Sequence, residues 1–128
     1  MSKAQKLISG IFALVFALAI APTASFAATN YDLSVNGEHF TSEKLTIQCG
    51  EGTATYDPDA QNLTLNNASI ANAVDYGGID SELTSDLTIT LQGSNQITFN
   101  DNIGIMATGN VIFHGSGSLV ISVAGDTM

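Results

Sequence analysis

Asp80, Glu82 and Asp86 stand close together and are the residues whose type and spacing most invite chemistry. Two carboxylates flanking one sugar bond, about 5–9.5 Å apart, hydrolyse glycosides. Carboxylates gathered with carbonyl oxygens hold calcium, and Asp101 between Asn100 and Asn102 offers a second, weaker set. The plainer reading is solvated charge at a chain corner. No EF-hand loop or nonapeptide calcium repeat is present. His39 and His114 lie in no nucleophile-elbow context. Cys49 is the only cysteine, so no intrachain disulfide forms. We expect no catalytic residues and no obligatory cofactor, with calcium a possible ligand at Asp80, Glu82 and Asp86.

The charge balance narrows the partners. Three lysines and no arginine oppose twelve acidic residues, for a net charge of -9. Such a surface repels phosphate backbones, so nucleic acid is not an expected partner. It suits an extracellular protein, and solubility alone is the plainer explanation of the charge.

Residues 1–27 read as a secretory signal peptide. Lys3 and Lys6 precede an apolar run from Ile11 to Ala21, then Pro22 and Ser25-Phe26-Ala27. Cleavage is expected after Ala27. Losing Lys3 and Lys6 would take the net charge from -9 to -11. The apolar run is shorter than the ~20 residues of a membrane span, and no span is expected once the leader is gone.

The rest of the chain shows period-2 alternation and turn residues, with no helical period. Residues 28–61 read as an N-terminal β-region or cap. Asn36-Gly37 within it supplies the two positive-φ residues of a type I′ hairpin turn, and Asp57-Pro58-Asp59-Ala60 makes a further turn. Residues 62–128 carry a repeat. Leu63, Leu87 and Val111 recur at one constant interval, and Ile97 and Ile121 keep the same interval. Alternation puts Leu63/Leu87/Val111 and Leu65/Ile89/Phe113 in inward columns and Thr64/Thr88/Ile112 and Asn66/Thr90/His114 in outward ones. Gly78-Ile79 and Gly104-Ile105 mark a third side, at a slightly longer interval. The expected fold is therefore all-β: a right-handed parallel β-helix of about three coils with period 24, after a short hairpin region. No cap follows the last coil. That suggests edge-to-edge self-association, or a fragment of a longer solenoid with further C-terminal coils.

Three stretches carry a family resemblance: Leu33-Ser34-Val35-Asn36-Gly37, Thr55-Tyr56-Asp57-Pro58-Asp59 and Asn62-Leu63-Thr64-Leu65-Asn66-Asn67-Ala68-Ser69-Ile70. They resemble the opening of secreted bacterial "carbohydrate-binding domain-containing" proteins. Gly93-Ser94-Asn95-Gln96-Ile97 and Gly115-Ser116-Gly117-Ser118-Leu119-Val120-Ile121 resemble that family's later coils. The resemblance implies a pectate-lyase-like parallel β-helix at or outside the cell surface. It also implies polysaccharide binding, of cell-wall or plant type, and calcium in some relatives. Family members are usually longer, which agrees with the fragment reading. The arginine base of pectate-lyase-like enzymes has no counterpart here.

The candidate ligand face comprises Thr64, Asn66, Thr88, Thr90 and His114, with Tyr76 as a ring for a sugar to stack on. Threonine chosen for its β-propensity is the plainer reading of that face. We expect a secreted or cell-surface carbohydrate-binding module without catalysis. The alternatives are a structural stalk or adhesin segment, and the N-terminal part of a polysaccharide lyase or hydrolase.

Overall fold

The computed structural model describes residues 27–74 and 76–125. The expected leader before Ala27 lies outside the described residues. Twelve strands follow in chain order: β1 (Asn30–Val35), β2 (Glu38–Thr41), β3 (Thr46–Cys49), β4 (Gly52–Asp57), β5 (Asn62–Asn66), β6 (Ser69–Ile70), β7 (Gly77–Ser81), β8 (Leu87–Gln92), β9 (Ser94–Phe99), β10 (Ile103–Ala107), β11 (Val111–His114) and β12 (Ser118–Val123). Among the described residues no helix is long and apolar enough to cross a membrane.

The strands form three sheets, ordered β10-β7-β1-β2, β11-β8-β5-β4-β3 and β12-β9-β6. The class is all-β as expected, but the expected parallel β-helix of about three coils does not hold. Two of the three sheets are mixed. β1 pairs antiparallel with both β2 and β7, and β4 pairs antiparallel with both β3 and β5. Only the third sheet is wholly parallel. The fixed period fails too. Leu87 lies opposite Val111, as the repeat requires, but Leu63 lies opposite Ile89 rather than Leu87. Ile79 pairs with Ile105 at the longer interval expected on that side, and Ile70 pairs with Ile97 at one longer still. Corners differ in length, so each sheet sets its own register.

One core joins the three sheets. In the five-stranded sheet, Ile47, Ala54, Leu65 and Leu91 form one cross-strand row, and Tyr56, Leu63, Ile89 and Phe113 another. Leu33, Val35 and Ile79 enter from the first sheet, Ile70, Ile97 and Phe99 from the third. All but Phe113 are buried. Fully burying such a side chain stabilises the fold by about 1.5–3 kcal/mol. Gly78 lets β7 approach the third sheet, because a Cβ there would lie 2.6 Å from the Phe99 ring and 3.0 Å from Ile97. The core thins toward β10, β11 and β12. Phe113, expected inside, and Ile121 are 49% and 44% exposed, since among the described residues no strand lies beyond theirs.

Asparagines tie the sheets together. Asn36 and Gly37 have φ of 52° and 84°, as the expected hairpin turn requires. Asn36 Oδ1 accepts from the Ala71 and Asn72 backbone N–H groups at 3.0 and 3.2 Å, and its Nδ2 donates to the Gln48 carbonyl. Asn95 is buried. Its Oδ1 accepts from Ala68 N–H at 2.8 Å, and its Nδ2 donates to the Gln92 and Ser118 carbonyls.

Candidate functional site

The five-stranded sheet turns its polar face away from the core. Alternation places Thr46, Thr55, Thr64, Thr90 and His114 there, and the ladder sets them side by side. Thr46 is opposite Thr55, Thr55 opposite Thr64, Thr64 opposite Thr90, and Thr90 opposite His114. Neighbouring strands lie about 4.8 Å apart, so the row spans roughly 19 Å. Below it lie Asp57, Asn62, Thr88 and Ile112, and above it Gln48, Thr53, Asn66 and Gln92.

These registers correct the expected columns. Thr64 stands beside Thr90, not Thr88, and Asn66 beside Gln92, not Thr90. The longer corner between β5 and β8 shifts every partner by one alternation step. Thr64, Thr90 and His114 thus meet in one row. Thr88 and Asn66 flank it on opposite sides, on the same face. Thr46 and Thr55 complete the row and lie outside the repeat, which is why sequence reasoning passed over them. Their signal was the alternation in Lys44-Leu45-Thr46-Ile47 and Thr53-Ala54-Thr55-Tyr56.

Asn62 fixes the polarity of the row. Its Nδ2 donates to Thr64 Oγ1 at 3.0 Å, and its Oδ1 accepts from Thr90 Oγ1 at 2.8 Å. Thr64 therefore keeps its O–H to donate outward, while Thr90 keeps lone pairs to accept. The Thr46 and Thr55 hydroxyls lie 3.3 Å apart. A donor and an acceptor held about one strand spacing apart match the paired hydroxyls on a sugar ring's edge.

Tyr76 does not join this face. It is 64% exposed and lines an open groove of about 300 Å³ with Asp80, Glu82, Met106 and Thr108. Asp80 and Glu82 do come together there. Asp86 stays apart and accepts from Asn110 Nδ2 at 3.0 Å. Among the described residues no three histidine, cysteine or acidic groups converge on a metal-ion position. Asp80 and Glu82 also line the smaller depression beside Asp32, Ser34 and His39.

Asp32 was missed because a regular strand was expected. Its φ is 57°, and the ladder slips between Asn30 and Ser34. Such a bulge re-aims a side chain, and here it sets Asp32 beside Asp80 and Glu82. Tyr56 is buried and packs its ring 5.6 Å from Phe40 and 5.8 Å from Tyr31, so it offers no ring to a sugar. Burial first, then the charge of Asp57 and the neighbouring Tyr31, raises its phenol pKa. Compared with known proteins, the chain matches no family model, no curated protein and no solved structure.

Proposed function

We propose that the chain is a carbohydrate-binding module of the cell surface or exterior, without catalysis of its own, and that the threonine row is its binding face. The observation that supports this most is the Asn62 bridge, which leaves Thr64 a donor and Thr90 an acceptor. A neutral polysaccharide lying across the strands meets hydroxyl and imidazole groups at every strand spacing. Polar side chains fixed in advance lose little entropy on binding. The ligand class agrees with what the sequence resemblance implies.

Affinity electrophoresis or pull-down with insoluble and soluble neutral polysaccharides tests the proposal. The chain from Ala28 is retained by at least one of them. Asn62→Ala reduces retention about tenfold while leaving the circular dichroism spectrum unchanged. Failure to bind any member of the panel, or full binding by Asn62→Ala, would overturn it and favour a structural stalk. Release of reducing ends or unsaturated products during incubation would contradict the non-catalytic reading.

A further inference from the structure

The groove beside Tyr76 carries chemistry that the threonine row does not use. Asp80 is only 8% exposed, yet its carboxylate makes no hydrogen bond or ion pair among the described residues. Among the described residues no buried side-chain oxygen lacks a partner, so the Asp80 oxygens reach solvent, and a hydrogen-bonded or charged ligand there would meet a carboxylate with no competing protein partner. Asp80 lines the depressions on both sides of its strand, so such a ligand approaches from there. Asp32 and Glu82 border the same place, and the Glu82 N–H donates to the Asp32 carbonyl at 2.9 Å, which holds the two segments together. The only lysine of the described residues, Lys44, is engaged by Glu38. His39 is the one imidazole beside Asp32, Asp80 and Glu82, so acidic groups outnumber basic ones along this groove.

The remaining walls choose the cation. Asp80 and Glu82 are two apart on one extended segment, so their Cα atoms are about 7 Å apart. Among the described residues no trio of acidic or imidazole groups closes on a single point, whereas calcium takes about six to eight oxygens. An ammonium group needs less: a carboxylate to accept its N–H bonds and an aromatic or polarizable surface beside it. Tyr76 offers its exposed ring, Met106 its thioether and Thr108 a hydroxyl. A volume of about 300 Å³ sits at the small end of ligand pockets and suits a sugar unit or two.

We propose that this groove is a second binding site, independent of the threonine row, and that it takes a protonated amino sugar. The ammonium group sits against Asp80 and Glu82, and the ring of the sugar lies on Tyr76.

Isothermal titration with short glucosamine oligomers, their N-acetylated counterparts and glucose oligomers tests this near pH 6, where the amine is charged. Glucosamine oligomers bind at least tenfold tighter than either neutral series, and binding weakens as pH rises and the amine loses its proton. Asp80→Asn and Tyr76→Ala each weaken it about tenfold or more with the melting temperature held. Should Asp80→Asn fail to fold, Glu82→Gln and Tyr76→Ala carry the test. Equal binding of charged and N-acetylated oligomers would overturn the proposal, as would binding untouched by Glu82→Gln and Tyr76→Ala. Calcium binding at this groove with no glucosamine binding would also overturn it. None of these failures affects retention on neutral polysaccharide or its loss in Asn62→Ala, so the two sites stand or fall separately.

Discussion

At the scale of single residues, buried polar groups carry more than their number suggests. Asn95 satisfies one N–H and two carbonyls from three chain segments. Asn95→Ala strands those groups, and each buried group left unpaired costs about 1–3 kcal/mol. Urea unfolding is expected to show a loss of at least about 2 kcal/mol on that basis; a loss below half a kcal/mol would contradict the bridging role. Cys49 makes the opposite case. Burial, with the charge of Glu38 adding and a hydrogen bond with the Ala54 backbone opposing, pushes its thiol up to about 11 from an ordinary 9.0. The unfolded chain therefore ionises first. Stability is full below about pH 9 and falls as pH rises toward 11, because the folded state holds the proton longer. The raised Tyr56 phenol acts in the same direction. Denaturation midpoints at pH 8 and pH 10 check this, with the lower midpoint expected at pH 10. A Cys49→Ala variant should lose part of that difference.

At the scale of strands, alternation was readable and stacking was not. The inward faces of Leu63, Leu65, Leu87 and Ile89 and the outward face of Thr64, Thr88 and Thr90 follow from period-2 patterning alone. Which strand lies beside which depends on corner length. The interval from Leu87 to Val111 does not extend back to Leu63, where the corner is longer and Ile89 takes the opposite place. Nothing in residues 66–86 marks where the extra length goes. The antiparallel β1–β2 pair was readable from its Asn36-Gly37 turn, but the antiparallel placement of β1 on β7 and of β4 between β3 and β5 was hidden, since hydrophobic alternation carries no strand direction. The bulge at Asp32 gave no sign either, because aspartate suits an ordinary exposed strand position as well as a left-handed one. Burial along one sheet yields a prediction. Ile70, Ile97 and Ile121 form one cross-strand row, but Ile97 is fully buried and Ile121 is not. Ile97→Ala is expected to cost about 2–5 kcal/mol, and Ile121→Ala less than half as much. Equal losses in chemical unfolding would mean that the outer strands are covered in solution.

At the scale of the whole molecule, two surfaces contrast. Among the described residues one side of β10, β11 and β12 has no strand beyond it, and these strands carry no lysine, arginine or carboxylate. Exposed edges with neither charge nor proline favour pairing with another copy. Phe113, Val120 and Ile121 are exposed there. We expect the chain from Ala28 to associate with rising concentration in size-exclusion chromatography, and Phe113→Lys with Val120→Lys to hold it monomeric. A monomer at every concentration would contradict this. The polar face of the five-stranded sheet lies across other strands and remains free whether or not the edges pair. Nuclear magnetic resonance titration with a neutral glucan oligosaccharide tests that face most directly. Amide shifts should cluster at Thr46, Thr55, Thr64, Thr90 and His114 and vanish in Asn62→Ala. Shifts confined to other sheets, or none at saturating oligosaccharide, would contradict the threonine row as a carbohydrate-binding face.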